Sequence, residues 1–202
     1  MTRNHLLILG LLLFSTLRGS AQISDTVVRP CFVGSTLFMA ANLLPDPPSY
    51  YQLNLGYRIT AKDVLSLELI TWTYQGPLGR PYGPHFEDPE SNFPGKVRAI
   101  GAGLAYKRFL WKQWYGQVHT TAFRQHYLDE TGDRLQSGFQ LFNTVRLGYQ
   151  FRFFQNRFFL EPSIAMTFWP INTNLPEPFQ VQEDQWNTFF LGEPGLHFGF
   201  NF

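Results

Sequence analysis

The chain has 202 residues, of which 44% are hydrophobic and 17% aromatic, and its formal net charge at pH 7 is +1. Because there is no excess of positive charge to hold a polyanion, this composition argues against nucleic-acid binding. The single cysteine, Cys31, excludes a disulfide within this sequence, so the fold must be stable without one.

The first segment of the sequence predicts export. Positive charge in residues 1–5 precedes an apolar run from Leu6 to Phe14, and Gly19-Ser20-Ala21 supplies small residues for cleavage. The apolar run is too short to span a membrane as a helix. We therefore expect a signal peptide over residues 1–21, a periplasmic segment over 22–31 and one folded domain over 32–202.

Apolar and polar residues alternate with a period of two in eight stretches, and this period predicts β-strands. The predicted strands cover residues 32–43, 51–60, 64–74, 96–109, 114–127, 137–153, 158–168 and 188–202. Short turns alternate with longer loops between them, and most of the 14 prolines fall in the long loops. Proline in a loop removes no hydrogen bond from a strand ladder, so the map is self-consistent.

The alternation also assigns two faces to each strand. In the last strand, Leu196, Phe198, Phe200 and Phe202 share an apolar face, and Glu193, His197 and Asn201 share the polar face. Strands of this kind suit a closed barrel that has lipid outside and a polar lumen inside, since closure leaves no unpaired sheet edge in hydrocarbon.

With its export signal, eight strands, alternating connections and final phenylalanine, the chain resembles the small outer-membrane β-barrels of the OmpA/OmpX type. The resemblance implies an all-β fold: an eight-stranded antiparallel up-and-down transmembrane barrel with short periplasmic turns and longer outer loops. It also implies a monomer in the outer membrane of a Gram-negative bacterium. Its partners would be the membrane lipids and the barrel assembly machinery, which would recognise Leu196, Phe198, Phe200 and Phe202.

Nine charged or titratable side chains fall on the predicted inner face: Arg58, Glu68, Lys107, His119, Arg146, Arg152, Glu161, Glu193 and His197. Side chains fill the interior of an eight-stranded barrel, so we expect these charges to pair with one another across the lumen. This reading predicts a structural or surface-interaction role, with no cofactor, metal or enzymatic turnover.

Three other functions stay open. A narrow pore would conduct ions or small solutes, and a secreted barrel of the lipocalin type would bury its apolar face instead of exposing it. A lipid-modifying barrel enzyme would need a catalytic group. Glu193 and His197 share a face, but their Cα atoms would lie about 13 Å apart along a strand, too far for a direct dyad. His126, Ser137, Asp129 and Glu130 lie near the third outer loop without a matching motif.

The second outer loop, residues 76–95, combines five prolines with Tyr82, Phe86 and Phe93. Because proline stiffness reduces the entropy lost on binding, we predict these aromatic residues as a candidate contact surface. The same residues would equally suit a loop packed over the barrel mouth. The acids of this loop, Glu87, Asp88 and Glu90, lack the ligand order of a calcium loop, so no metal site is expected.

Overall fold

The computed structural model describes residues 29–45, 47–79 and 91–202. The predicted all-β class is confirmed, because strands make up 65% of the structure and form one antiparallel sheet of nine strands. The predicted signal peptide, together with Tyr82 and Phe86, lies outside the described residues. Among the described residues, no helix combines the length and apolar character needed to cross a membrane.

The strands are β1 (Cys31–Thr36), β2 (Tyr51–Arg58), β3 (Asp63–Tyr74), β4 (Lys96–Trp111), β5 (Trp114–Leu128), β6 (Arg134–Tyr149), β7 (Phe151–Phe153), β8 (Phe158–Thr173) and β9 (Phe189–Asn201). Consecutive strands pair from β1 to β6, β8 pairs with β6 and β9, and β9 pairs with β1. The short β7 continues the line of β6 along β8. The other eight strands therefore close into a ring, which we call the strand ring.

Two segments differ from the predicted strand map. The first predicted strand, 32–43, ends at Thr36, and Leu37–Leu43 form a 3₁₀ helix. The Thr36 hydroxyl accepts a hydrogen bond from the Phe38 amide at 3.2 Å, which caps the helix and ends the strand. Within the last predicted loop, Glu177–Glu183 form a short helix, α1, with proline near its start.

The two faces of the strands follow the predicted alternation. In β2, Tyr51, Leu53, Leu55 and Tyr57 point outward and are 40–56% exposed, whereas Gln52 points inward and is buried. Asn143 of β6 is an outward polar exception. Its side-chain oxygen accepts a hydrogen bond from the Thr120 hydroxyl of β5 at 2.9 Å, so the two polar groups satisfy each other.

The connections divide the strand ring into two ends. The turns at residues 59–62, 112–113 and 154–157 lie at one end, which we call the turn end, with Cys31 and Phe202. The connections from β1 to β2, β3 to β4, β5 to β6 and β8 to β9 begin and end at the other, the loop end. Lys112, Phe154, Gln155 and Asn156 take φ values between +51° and +63° in the short turns, as tight reversals require.

A small apolar core lies at the loop end. Phe179 of α1 is fully buried, and its ring stacks on that of Phe93 with centroids 4.9 Å apart. Tyr127 packs edge-on against Phe179 at 5.3 Å. Phe93 is 5% exposed, so its position fits the alternative of packing over the end of the strands better than that of a contact surface. Its partner Phe179 comes from far along the chain.

Glu183, at the end of α1, carries a buried carboxylate. It accepts hydrogen bonds from Trp169 Nε1 at 3.1 Å and from Asn172 Nδ2 at 3.3 Å. Burial raises the pKa of Glu183 above the ordinary value of a glutamate side chain, although both hydrogen bonds act to lower it. The loop end therefore contains a titratable group whose charged form is disfavoured in the folded state.

Replacing Glu183 with glutamine is expected to stabilise the loop end at pH 7. The folded-state pKa of Glu183 lies above the unfolded one, so the folded protein binds more protons between the two values. Stability of the unmodified protein should therefore fall as pH rises through that window, and E183Q should remove this dependence. The rate of proteolysis within residues 174–188, measured from pH 4 to 8, tests this. Exposed Glu177→Gln is the control, and equal cleavage of E183Q and unmodified protein at pH 7 would contradict the prediction.

Candidate functional site inside the strand ring

The strand ring encloses a cavity of about 480 Å³. Seven of the nine predicted inner-face residues line it: Glu68, Lys107, His119, Arg146, Glu161, Glu193 and His197. The expectation of a completely filled interior is therefore wrong in this region. Small residues at neighbouring inner positions also line the cavity, namely Gly34, Ser66, Ala105 and Gly195.

The first polar cluster forms around Glu68 of β3. Its Oε2 accepts a hydrogen bond from Gln52 Nε2 at 2.6 Å, and its Oε1 accepts one from Thr121 Oγ1 at 2.9 Å. His119 Nε2 lies 2.8 Å from Glu68 Oε1. Gly103 of β4 lies between Glu68 and Thr121 in the register, and a Cβ there would come within 2.4 Å of Thr121 Oγ1. A glycine at 103 therefore allows the Glu68 carboxylate to reach across β4.

This cluster does not have the geometry of a catalytic triad. Thr121 Oγ1 lies 2.7 Å from His119 Nε2, the same ring nitrogen that contacts Glu68. In a triad, the base accepts the nucleophile's proton on one ring nitrogen while the acid orients the ring through the other. With both contacts on Nε2, and with the Thr121 hydroxyl donating to Glu68, the arrangement serves to satisfy buried polar groups.

The second cluster is a buried ion pair. Lys107 Nζ lies 2.6 and 2.7 Å from the two oxygens of Glu161, and the two residues are 7% and 3% exposed. Gln150 Nε2 also donates to Glu161 Oε1, at 2.8 Å, and Arg152 Nε donates to Gln150 Oε1 at 2.6 Å. The Lys107 ammonium further lies 4.5 Å from the centre of the Tyr115 ring. Each charge is thus paired and hydrogen-bonded, as burial requires.

The third cluster joins β6, β8 and β9. Arg146 Nη1 donates to Ser163 Oγ at 2.9 Å, and Nη2 donates to Glu193 Oε1 at 3.3 Å. The Thr167 hydroxyl donates to the other oxygen of Glu193. A Cβ at Gly195 would lie 2.0 Å from Arg146 Nη1, so the glycine leaves the space that the guanidinium occupies.

Arg58 and Arg152 differ from the expected pattern of pairing. Within the described part of the chain, neither guanidinium has a carboxylate oxygen within 4.0 Å. Instead their Cζ atoms lie 5.3 and 5.2 Å from the centre of the Phe109 ring. The cation that pairs with Glu161 is Lys107, whose ammonium lies 2.6 Å from that carboxylate. His197 faces the cavity, opposite Glu161 and Thr36 in the strand register.

The cavity has an aromatic wall towards the loop end. Phe38, Tyr50, Trp72, Tyr74, Phe123, Phe142 and Phe190 contribute to it. The rings of Phe38 and Tyr50 lie 4.8 Å apart, and those of Trp72 and Tyr74 lie 4.7 Å apart. None of these residues was predicted from the sequence as a site residue. Their only sequence signal is that most occupy inner positions of strands, where polar residues were expected.

Comparison of the chain with protein-family models, with curated proteins and with solved structures found no match in any of the three. Its function is therefore inferred from the strand ring, its interior and its outer surface.

Proposed function

We propose that the strand ring is an eight-stranded transmembrane β-barrel in a bacterial outer membrane, a monomer whose loop end faces outward. The outer face of the strand ring carries this proposal. Leu55, Leu67, Leu104 and Leu147 lie on four different strands and are 44%, 40%, 70% and 48% exposed. Exposed apolar side chains on so many strands are unfavourable in water and suited to hydrocarbon, and the closed ring leaves no edge unpaired between its strands.

Exposed aromatic residues near both ends support the same proposal. Trp111, Trp114, Phe154 and Phe202 are 43–78% exposed near the turn end, and Tyr51, Phe139 and Phe189 are 42–54% exposed towards the loop end. Aromatic side chains concentrate where barrels meet the two membrane interfaces, since their rings are apolar and their edges tolerate water. One aromatic group near each end of the strand ring is the arrangement expected of a membrane-spanning barrel.

The interior supports a structural or surface-interaction role and argues against conduction. Towards the turn end, Val64, Phe109 and Tyr115 pack together, and the Lys107–Glu161 pair lies directly against Tyr115. Ions crossing the barrel would have to separate these groups. We therefore propose that the barrel is closed, that it is not an enzyme, and that its long loops make its external contacts.

The location is tested on the purified protein and on membrane fractions. The unboiled protein should migrate faster than the boiled form on SDS gels, show β-rich circular dichroism and fractionate with the outer membrane. A soluble periplasmic monomer without a heat-dependent shift would overturn the proposed location.

The closed interior is tested separately in planar bilayers. The protein is expected to show no steady conductance, because paired charges and packed rings block the turn end. Stable, ion-selective channels from a heat-shifting preparation would overturn the closed-barrel role and leave the location intact.

A further inference from the structure

Four cations lie together on the outer face of the strand ring at its loop end. Lys96, Arg98, Arg124 and Arg134 are all exposed. Arg98 lies directly opposite His126 in the β4–β5 register, and His126 lies opposite Ser137 of β6. His126 Nδ1 is 2.8 Å from Ser137 Oγ. We call these residues the lateral basic patch: Lys96, Arg98, Arg124, His126, Arg134 and Ser137.

Among the described residues, the four cations have no carboxylate partner. The Asp129 carboxylate accepts bonds within its own turn, from Thr131 Oγ1 at 2.6 Å and from the amides of Thr131 and Asp133 at 2.9 Å. In the ranges 29–45, 47–79 and 91–202, no carboxylate oxygen lies within 4.0 Å of the four cations. By contrast, Arg108, an outward cation near the turn end, lies 2.7 Å from Asp63.

Apolar side chains flank the cations. Ile100 and Phe139 lie on either side of Arg124 in the register and are 52% and 42% exposed. From there the outward face continues towards the middle of the strands with Ala102 and Leu104 of β4. A cluster of cations that lack a carboxylate partner in the described part of the chain, above an apolar surface, matches a ligand with an anionic head and hydrocarbon chains. Guanidinium groups bind phosphate with two parallel hydrogen bonds, and charge near hydrocarbon is costly unless it is paired.

We infer that the lateral basic patch binds the phosphate-bearing headgroup of a lipid in the outer leaflet, with the lipid chains lying along Ile100 and Phe139. The guanidinium groups of Arg98 and Arg124 donate hydrogen bonds to the phosphate, and the His126–Ser137 pair offers it further polar contacts. This inference rests on the proposed function, since it requires the loop end to lie at the outer surface of the membrane.

The test uses folded protein in detergent micelles and three probes: phosphatidic acid, diacylglycerol with the same chains, and inorganic phosphate. Lipid retained by the protein is measured by native mass spectrometry. Phosphatidic acid should bind about tenfold more tightly than diacylglycerol, as expected for charge-assisted hydrogen bonds to one phosphate. The double variant R98A/R124A should lose that preference, and R98Q and R124Q provide single changes if the double variant does not fold.

A charge-matched control removes two cations from the turn end. Lys112 and Arg157 are both exposed there, and K112A/R157A is expected to keep the preference for phosphatidic acid. Equal binding of both lipids to folded protein, or equal loss in the control, would overturn the lipid site. If inorganic phosphate binds as tightly as phosphatidic acid, the patch binds phosphate without a requirement for lipid chains, and the proposed lipid occupant is overturned. Absence of a heat-shifted band in unmodified protein would instead overturn the proposed function.

Discussion

Replacing Lys107 with methionine is expected to destabilise the protein by about 3–5 kcal/mol, because it leaves the Glu161 charge buried without its cation. Both residues of this pair are under 9% exposed, so the Glu161 carboxylate would be poorly solvated without its cation. The free energy of unfolding in denaturant, followed by tryptophan fluorescence of protein folded into vesicles, measures the effect.

Two variants separate the loss of charge pairing from the loss of packing. In K107M/E161Q the orphaned charge is gone and Gln150 keeps an acceptor at position 161, so most of the stability should return. Arg108→Met is the control for an exposed pair. Arg108 and Asp63 retain 29% and 17% side-chain exposure, so breaking this pair should cost about 0–1 kcal/mol. A double variant no more stable than K107M would contradict this account of Lys107.

Replacing Phe202 with aspartate is expected to reduce insertion into the outer membrane severalfold. Phe202 is 60% exposed at the turn end, and its backbone pairs with Cys31 where β9 meets β1. A charge there would lie at the proposed membrane interface, where its transfer from water costs only about 0–1 kcal/mol. By the resemblance to outer-membrane barrels, the change would also remove part of the recognition signal. The intensity of the heat-shifted band at low expression measures insertion.

Phe154→Asp is the matched control for Phe202→Asp. Phe154 is 78% exposed in a turn at the same end, so the control adds the same charge at that end. It should reduce insertion less than F202D if the last strand carries the signal. Asn201 is unsuitable as a control, because its side-chain amide donates to the Asn156 carbonyl at 2.6 Å. Unchanged insertion of F202D would refute the assembly role of Phe202.

The strands and their faces could be predicted from the sequence because both follow from local geometry. Successive side chains of a strand point to opposite sides, so the outward row of Tyr51, Leu53, Leu55 and Tyr57 follows from spacing alone. Strand ends were less predictable. The segment 37–43 is an apolar run that was predicted as part of the first strand, yet the Thr36 cap starts a 3₁₀ helix there. The choice between the two depends on what the segment packs against at the loop end.

The pairing of inner charges could not be predicted from the sequence. Lys107 and Glu161 are 54 residues apart, and whether they meet depends on the register of each intervening strand pair. Gly103 and Gly195 look like ordinary strand glycines in the sequence. In the structure, the absence of a Cβ at Gly103 lets Glu68 reach Thr121, and its absence at Gly195 leaves room for the Arg146 guanidinium.

By itself, the sequence determined the all-β class, the approximate strand positions and which residues face outward, since these depend on a period of two set by the backbone. Only the tertiary structure decided the partners of each buried charge, the cavity, the burial of Phe93 under α1 and the lateral basic patch. Each of these depends on how distant strands are staggered around the ring. That stagger results from all the strand pairs together and is not encoded in any one segment.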